Sequence, residues 1–427
     1  MKRLVGLVIA IGTGLVAAGQ GLAQSAYGCD DLARLGDMPV VEGRGGVFYR
    51  VHPDMHNFYS FSDETVERVG ELSDTLAALG TRLVYVPVPT KSLAMPAFLT
   101  PEADDFGFDP DMATTVYLDI LKRLEQRGVA AVDVRKAMVQ TQNGAPAYFQ
   151  SDHRWTATGA RLAAGAVAER IAGLDGTAGL PTSAFANVQG SDVTLSSHMF
   201  AQIQQHCQGA IPPVTTAAFT TSAPTLPGGT PVVVVGTEYS GEVAGNFSGF
   251  LAQASGLAVA QYSVPGGGAF AAISSYLASD VFRAARPALL VWEVPVEANP
   301  GRFGDQPMRE LIAFAGNGCR LPLSLSSTDR DNRINVDLGP IDPGLATALL
   351  IDGAGAQSRE AVFTFRSRTG LTRTRTVVRH PDQPLNGRFA MPLSGLWPEG
   401  AVSVEVELSE AFGPAPGALA CFYEGQG

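Results

Sequence analysis

Pro231-Val-Val-Val-Val-Gly-Thr-Glu-Tyr-Ser240 is the stretch that decides the fold. Four successive valines have no polar face, so the run reads as a short strand buried on both sides. Gly236 breaks it, and a helix is expected to begin near Val243 to Asn246. A strand followed by a tight turn and a helix can expose a nucleophile beside free backbone N–H groups, which makes Ser240 a candidate. An ordinary tight turn is the competing reading. Working outward, Leu83 to Val88 is a second apolar, β-branched run, with Pro87 inside it and Pro89 after it. Val129 to Val134 and Ala288 to Val294 read as further strands. Between them the period changes. Val66, Val69, Leu72, Leu76 and Leu79 recur at helical spacing up to Gly80, and Met112 to Arg127 repeats the pattern up to Gly128. A third helix is expected after Trp155, with Thr156 as N-cap and Leu162, Ala166 and Ile171 on its apolar side. Strands alternating with helices predict an α/β domain with a doubly wound, mostly parallel sheet, whose chemistry sits at the carboxyl ends of the strands. Ala210 to Thr230, rich in Pro, Thr and Gly, reads as a linker or long loop.

The character changes after about residue 316. Glu360 to Phe365, Arg373 to Val378 and Val402 to Leu408 alternate polar and apolar residues, and no long helical pattern follows. A small C-terminal β-sandwich is expected over 317–427, with the α/β domain over 29–316.

Lys2 and Arg3 precede an apolar stretch from Leu4 to Ala18, and Gly21-Leu22-Ala23 resembles a cleavage site. Residues 1–23 are therefore expected to be a signal peptide, with an uncleaved anchor as the alternative. Beyond them no run is long and apolar enough for a stable membrane span. The expected compartment is the periplasm. Four cysteines in an exported chain favour disulfides. Sequence order suggests Cys29–Cys207 and Cys319–Cys421, among three possible connectivities. A net charge of −11 argues against nucleic acid as a partner, because phosphate binding needs clustered Lys and Arg.

Chemistry concentrates in two places. In Ser151-Asp152-His153-Arg154-Trp155-Thr156, an Asp beside a His can orient an imidazole as a general base, or the segment is a helix cap with ion pairs. The second place is the turn Gly236 to Ser240. Lys91, after a strand end, is a candidate contact for an anionic sugar, with a solvated surface lysine as the alternative. Trp397, Phe389 and Tyr423 are candidates for stacking on sugar rings, with core aromatics as the alternative. Gly266-Gly-Gly268 lacks the companions of a phosphate loop and reads as a turn. His52, His56, His198 and His206 form no metal spacing, so no metal site and no cofactor are expected.

Asp152 to Ala160 matches the pattern D-x-H-W-[ST]-x-x-G-A in part, and Gly236 to Ser240 matches G-[DT]-S-[FY]-S in part. Glu42-Gly43, Val47-Phe48-Tyr49-Arg50, Gly80 to Lys91, Asn246 to Leu251, Tyr276 to Asp280 and Val291-Trp292-Glu293-Val-Pro295 extend the likeness over roughly 29 to 298. Together they resemble the AlgX/AlgJ-type alginate O-acetyltransferase family, which has an SGNH-hydrolase-like domain. The larger members carry a C-terminal carbohydrate-binding module, which the expected sandwich resembles. The resemblance implies a Ser–His–Asp site that takes an acetyl group and passes it to a sugar hydroxyl. It also implies an anionic or neutral exopolysaccharide and the other components of an acetylation and secretion complex as partners. Asp152 matches the family Asp. Where the family has His this chain has Arg154, and where it has Ser this chain has Glu238. Arginine stays protonated and cannot act as a base at neutral pH. Two outcomes are expected to compete. In one, an Arg154–Glu238 ion pair closes the site of a non-catalytic member. In the other, a shifted set of Ser240 and His153, oriented by Asp152 or Glu238, restores acetyl transfer.

Overall fold

A computed structural model describes residues 25–139, 145–222 and 230–422 of the chain. The expected signal peptide and Tyr423 lie outside the described residues. The α/β half is built on five parallel strands in the order Ala130–Ala131, Arg82–Val88, Leu289–Pro295, Val232–Gly236, Val259–Ser263. The middle strands are buried along almost their whole length, which explains why their sequences are continuous apolar runs. The helix Asp63–Ala78 buries Val66, Val69, Leu72 and Leu76, and Pro110–Gln126 buries Tyr117, Ile120, Leu121 and Leu124, whereas on Ala157–Ala172 the expected Leu162 and Ala166 are half-buried and Ala160, Ala163, Ala164, Val167 and Ile171 form the buried face. Ser62 caps the first by accepting from Thr65 N, and Thr156 caps the third by accepting from Gly159 N. Gly159 is a packing requirement, since a Cβ there would come within 2.1 Å of Ala147 O.

Three expectations change. The run Val129 to Val134 forms a strand only at Ala130–Ala131, and the chain turns into a helix at Val134–Val139. It is an edge strand with a single neighbour, and its valines are buried by helix packing rather than by a ladder. The expected linker contains a strand, Thr215–Ser222, which pairs antiparallel with Ala186–Thr194. Its Thr-rich composition suits a half-exposed ladder. Val243–Gly245 is a single 3₁₀ turn, and the helix proper is Phe247–Ser255, entered through Asn246 at φ 50°.

After helix Gln306–Ala315 the chain forms two antiparallel sheets. One has the order Cys319–Pro322, Gly417–Phe422, Ala346–Asp352, Arg388–Pro392. The other has the order Leu325–Ser327, Arg333–Asp337, Ser403–Leu408, Glu360–Arg366, Thr372–Val378. Phe363, Phe365, Val404, Val406, Leu349 and Ile351 meet between them as a separate core. Both expected disulfides are present, and Cys319 and Cys421 are opposed partners of neighbouring strands. The halves are joined through Glu310 on helix Gln306–Ala315. Arg379 of the sandwich binds both its carboxylate oxygens, at 2.6 and 2.9 Å, and Ala390 N donates to it at 3.1 Å. Both side chains are buried, and their fork-to-fork pairing satisfies the charges there. Among the described residues no helix is long and apolar enough to cross a membrane.

Candidate functional site

The turn after Val232–Gly236 lies at the carboxyl end of a central strand, where this architecture places function. Thr237 caps one helical turn, Glu238–Gly241. Beneath it sits Glu293, fully buried in the neighbouring strand. Its carboxylate accepts from Thr237 N at 2.7 Å, Thr237 Oγ1 at 3.0 Å, Ser240 N at 3.2 Å and Ser240 Oγ at 2.8 Å. Burial pushes the Glu293 carboxyl up, the Thr237 and Ser240 hydrogen bonds pull back, and the balance is about 7. Gly236 leaves room for this carboxylate. A Cβ there would come within 2.3 Å of Glu293 Oε2 and 2.5 Å of Ser240 Oγ. Gly236→Ala is therefore expected to lose about 1–3 kcal/mol of stability, as overpacked sites do. Urea unfolding checks this, and a loss under half a kilocalorie would mean the turn yields easily.

Ser240 is buried and points into this carboxylate, and it also shares a hydrogen bond of 2.9 Å with Ser263. It does not meet His153, so the shifted Ser240–His153 couple is not assembled. On this single turn Ser240 faces the sheet while Glu238 faces the cleft, with its side chain 23% exposed.

The second segment is held from below by Lys91. Its Nζ donates to Phe149 O at 2.5 Å, Gln150 O at 2.8 Å and Asp152 O at 3.1 Å. Lys91 is buried, so the expectation of a surface sugar contact is corrected. The short helix Lys91–Ala94, just after strand Arg82–Val88, carries it under the 149–152 loop, whose carbonyls need donors there. Burial pushes Lys91 down to about 7, although Asp54 and Asp152 favour its charge.

Above Lys91, Asp152 and Arg154 form a forked pair. Asp152 Oδ1 accepts from Arg154 Nε at 2.9 Å and Oδ2 from Nη2 at 3.0 Å, while Arg154 N also donates to Oδ1 at 2.8 Å. Arg154 Nη1 reaches Glu242 at 2.8 Å, and Nη2 reaches Ser196 O at 2.8 Å. The expected Arg154–Glu238 pair is thus replaced. Asp152, two residues away, and Glu242, at the end of the turn, take the guanidinium. Glu238 turns instead to His153, with Oε1 3.3 Å from Nε2, and its Oε2 accepts from Gly266 N at 2.8 Å. His153 Nδ1 lies 3.6 Å from Asp152. Burial would raise both carboxyls. Hydrogen bonds from His153 and Gly266 outweigh it at Glu238, as those from Arg154 do at Asp152, and each settles at about 2.

The result is a chain of polar contacts, Glu238–His153–Asp152–Arg154–Glu242. A carboxylate with so low a pKa is a poor nucleophile, and a forked guanidinium takes no proton. The Gly266 N–H, a donor that could meet an oxyanion, is taken by Glu238. Glu242, Gly266 and Glu293 carried no role in the sequence reading. Glu293 had a signal, as the lone charge in an apolar strand. Glu242 had one in its spacing of four from Glu238. In the sandwich, Phe389 is a core residue, whereas Trp397 is half-buried and lines a cavity.

The family described as "SGNH hydrolase-like domain, acetyltransferase AlgX" matches residues 40–296. The alginate biosynthesis protein AlgX of Pseudomonas aeruginosa is 28% identical over 289 residues, 66% of this chain and 60% of that protein. Its counterpart from Azotobacter vinelandii is 28% identical over 323 residues, 72% of this chain and 62% of the relative. The matched stretch thus spans less than two thirds of these relatives. The solved Pseudomonas aeruginosa AlgX structure superposes with a TM-score of 0.77 at 24% identity, covering 90% of this chain and 93% of that one. The O-acetyltransferase domain of Pseudomonas putida AlgJ superposes with a TM-score of 0.52 at 26% identity, covering 64% of this chain and 99% of that domain.

Proposed function

The chain belongs to the family of AlgX-type SGNH hydrolase-like domains, and from that premise we propose that it is a non-catalytic, polysaccharide-binding member of a periplasmic exopolysaccharide O-acetylation and secretion system. One observation carries this. The position that holds the nucleophile in the family holds Glu238, whose two carboxylate oxygens are engaged by His153 and by Gly266 N. The position of the base holds Arg154, fixed between Asp152 and Glu242. Acetyl transfer needs a group that attacks, a base that takes its proton and a free oxyanion donor. The two family positions hold neither the nucleophile nor the base, and Glu238 takes the Gly266 N–H. The relatives' names point to alginate as the polymer class. The α/β domain (29–316) would face partners of the acetylation complex, and the sandwich (317–427) would serve as the carbohydrate-binding module. Two disulfides support an oxidising compartment, in keeping with export by residues 1–23.

The test is chemical. Purified mature protein incubated with 4-nitrophenyl acetate is expected to show no turnover above buffer and no acetyl adduct by mass spectrometry, while retaining alginate in affinity electrophoresis. An adduct on Ser240 that disappears in Ser240→Ala would overturn the reading and restore the acetyltransferase. Loss of polymer retention would remove its binding half.

A further inference from the structure

We propose that the cavity beside Trp397 binds an O-acetylated pyranose, so that the chain reads the acetyl mark on a polysaccharide rather than placing it. This rests on the reading of the chain as a polysaccharide-binding member.

The cavity holds about 390 Å³ and lies at one end of the sandwich, between residues 338–343 and 393–401. That is room for one sugar ring with a substituent, within the size range of small-ligand sites. Leu338, Ile341, Leu393, Leu396 and Ala401 give it an apolar lining around Trp397. No charged side chain is among its lining residues, and the exposed Arg373 stands beside the Trp397 ring at its edge, so a uronate carboxylate would stay outside the apolar lining, next to that guanidinium. The group that enters the lining is therefore the neutral one.

Four backbone carbonyls beside the cavity already accept from arginines. Arg375 donates to Pro392 O at 2.6 Å and to Ser394 O at 2.7 Å. Arg373 donates to Gly395 O and Leu396 O, and its guanidinium lies 5.1 Å from the centre of the Trp397 ring. These contacts hold the 392–397 loop in place. A bare hydroxyl entering the apolar lining would exchange several water hydrogen bonds for few partners, whereas an acetyl methyl would lose nothing polar. An ester carbonyl needs only a donor, and the Trp397 indole N–H and the Ser394 hydroxyl are the side-chain donors among the lining residues. An apolar ring face on tryptophan supplies the rest of the recognition.

Isothermal titration of the mature protein tests this, with O-acetylated mannuronate oligosaccharides and the same oligosaccharides after mild alkaline de-O-acetylation. Binding of the acetylated form is expected to be at least about tenfold tighter. Trp397→Ala is expected to abolish the preference, with circular dichroism confirming the fold. Ala401→Leu fills the cavity from a small residue and should likewise level the two affinities, so it decides the matter should Trp397→Ala unfold. Equal affinity of the wild type for both forms overturns the acetyl reading and leaves polysaccharide binding standing. No binding of either form overturns both.

Discussion

Lys91→Met should lose about 2–5 kcal/mol of folding stability, with the larger loss at alkaline pH. The Lys91 Nζ donates to the converging carbonyls of Phe149, Gln150 and Asp152, with three N–H groups as the ammonium and two as the neutral amine. A methionine of similar length fills the space and leaves the Phe149 and Asp152 carbonyls without this donor, each costing about 1–3 kcal/mol, while Gln150 O keeps the Phe48 N–H at 2.9 Å. Burying the charge works in the opposite direction, which is why Lys91 is pushed down to about 7. The sign follows from linkage. The folded-state pKa lies below the unfolded value of 10.5. Between about 7 and 10.5 the unfolded chain therefore binds more protons, and stability rises with pH across that window. The slope reaches about 1.4 kcal/mol per pH unit for one group. Lys91→Met lacks this contribution, so its deficit should grow from pH 6.5 to pH 9.5 in urea titrations. The same deficit at both pH values would refute the linkage, and a loss below about 1 kcal/mol would refute the role of the carbonyl contacts.

The second large effect is a gain. Glu238→Ser combined with Arg154→His should raise hydrolysis of an activated acetyl ester about 10²–10⁴-fold over the wild type, the usual yield of a positioned base. The support for such a site is already in place. Asp152 is buried, held through Lys91, and has a carboxylate oxygen directed at the side chain of residue 154. Removing the Glu238 carboxylate frees the Gly266 N–H, now 2.8 Å from it. Glu293 continues to hold the turn from beneath through Thr237 and Ser240. Arg154→His alone should stay inactive, because a base without a hydroxyl does nothing, and Glu238→Ser alone should fall short of the double variant, because the family's base position is still an arginine. Burst kinetics with 4-nitrophenyl acetate and mass mapping of the adduct to position 238 check this. A folded double variant with no burst would mean that the cleft has diverged beyond the two positions.

Much of the fold was legible in particular residues. Val232 to Val235 and Leu83 to Val88 lack a polar face, which only a sheet covered on both sides accommodates. Val404, Val406 and Leu408 alternate with Ser403, Glu405 and Glu407, as one buried sandwich face requires. The Thr215–Ser222 strand was less legible, since Thr and Ala alternate weakly and the flanking prolines suggest a loop. The site was legible in its losses. Arg154 and Glu238 stand where the family pattern has His and Ser, and no packing can make a guanidinium a base at neutral pH.

The sequence alone therefore determined the parallel sheet, the separate sandwich and the presence of Arg154 and Glu238 where the family pattern has His and Ser, and it suggested the cysteine pairing by chain order. Tertiary structure decided which charge meets which. Glu242 rather than Glu238 takes Arg154, His153 takes Glu238, and Lys91 lies under the loop rather than on the surface. Periodicity fixes which face of an element a side chain occupies, because that depends only on neighbours along the chain. Pairing among residues 91, 152–154, 238–242, 266 and 293 depends on distances between segments far apart in sequence. A shift of a few ångströms changes which pair forms, and only the folded chain sets those distances.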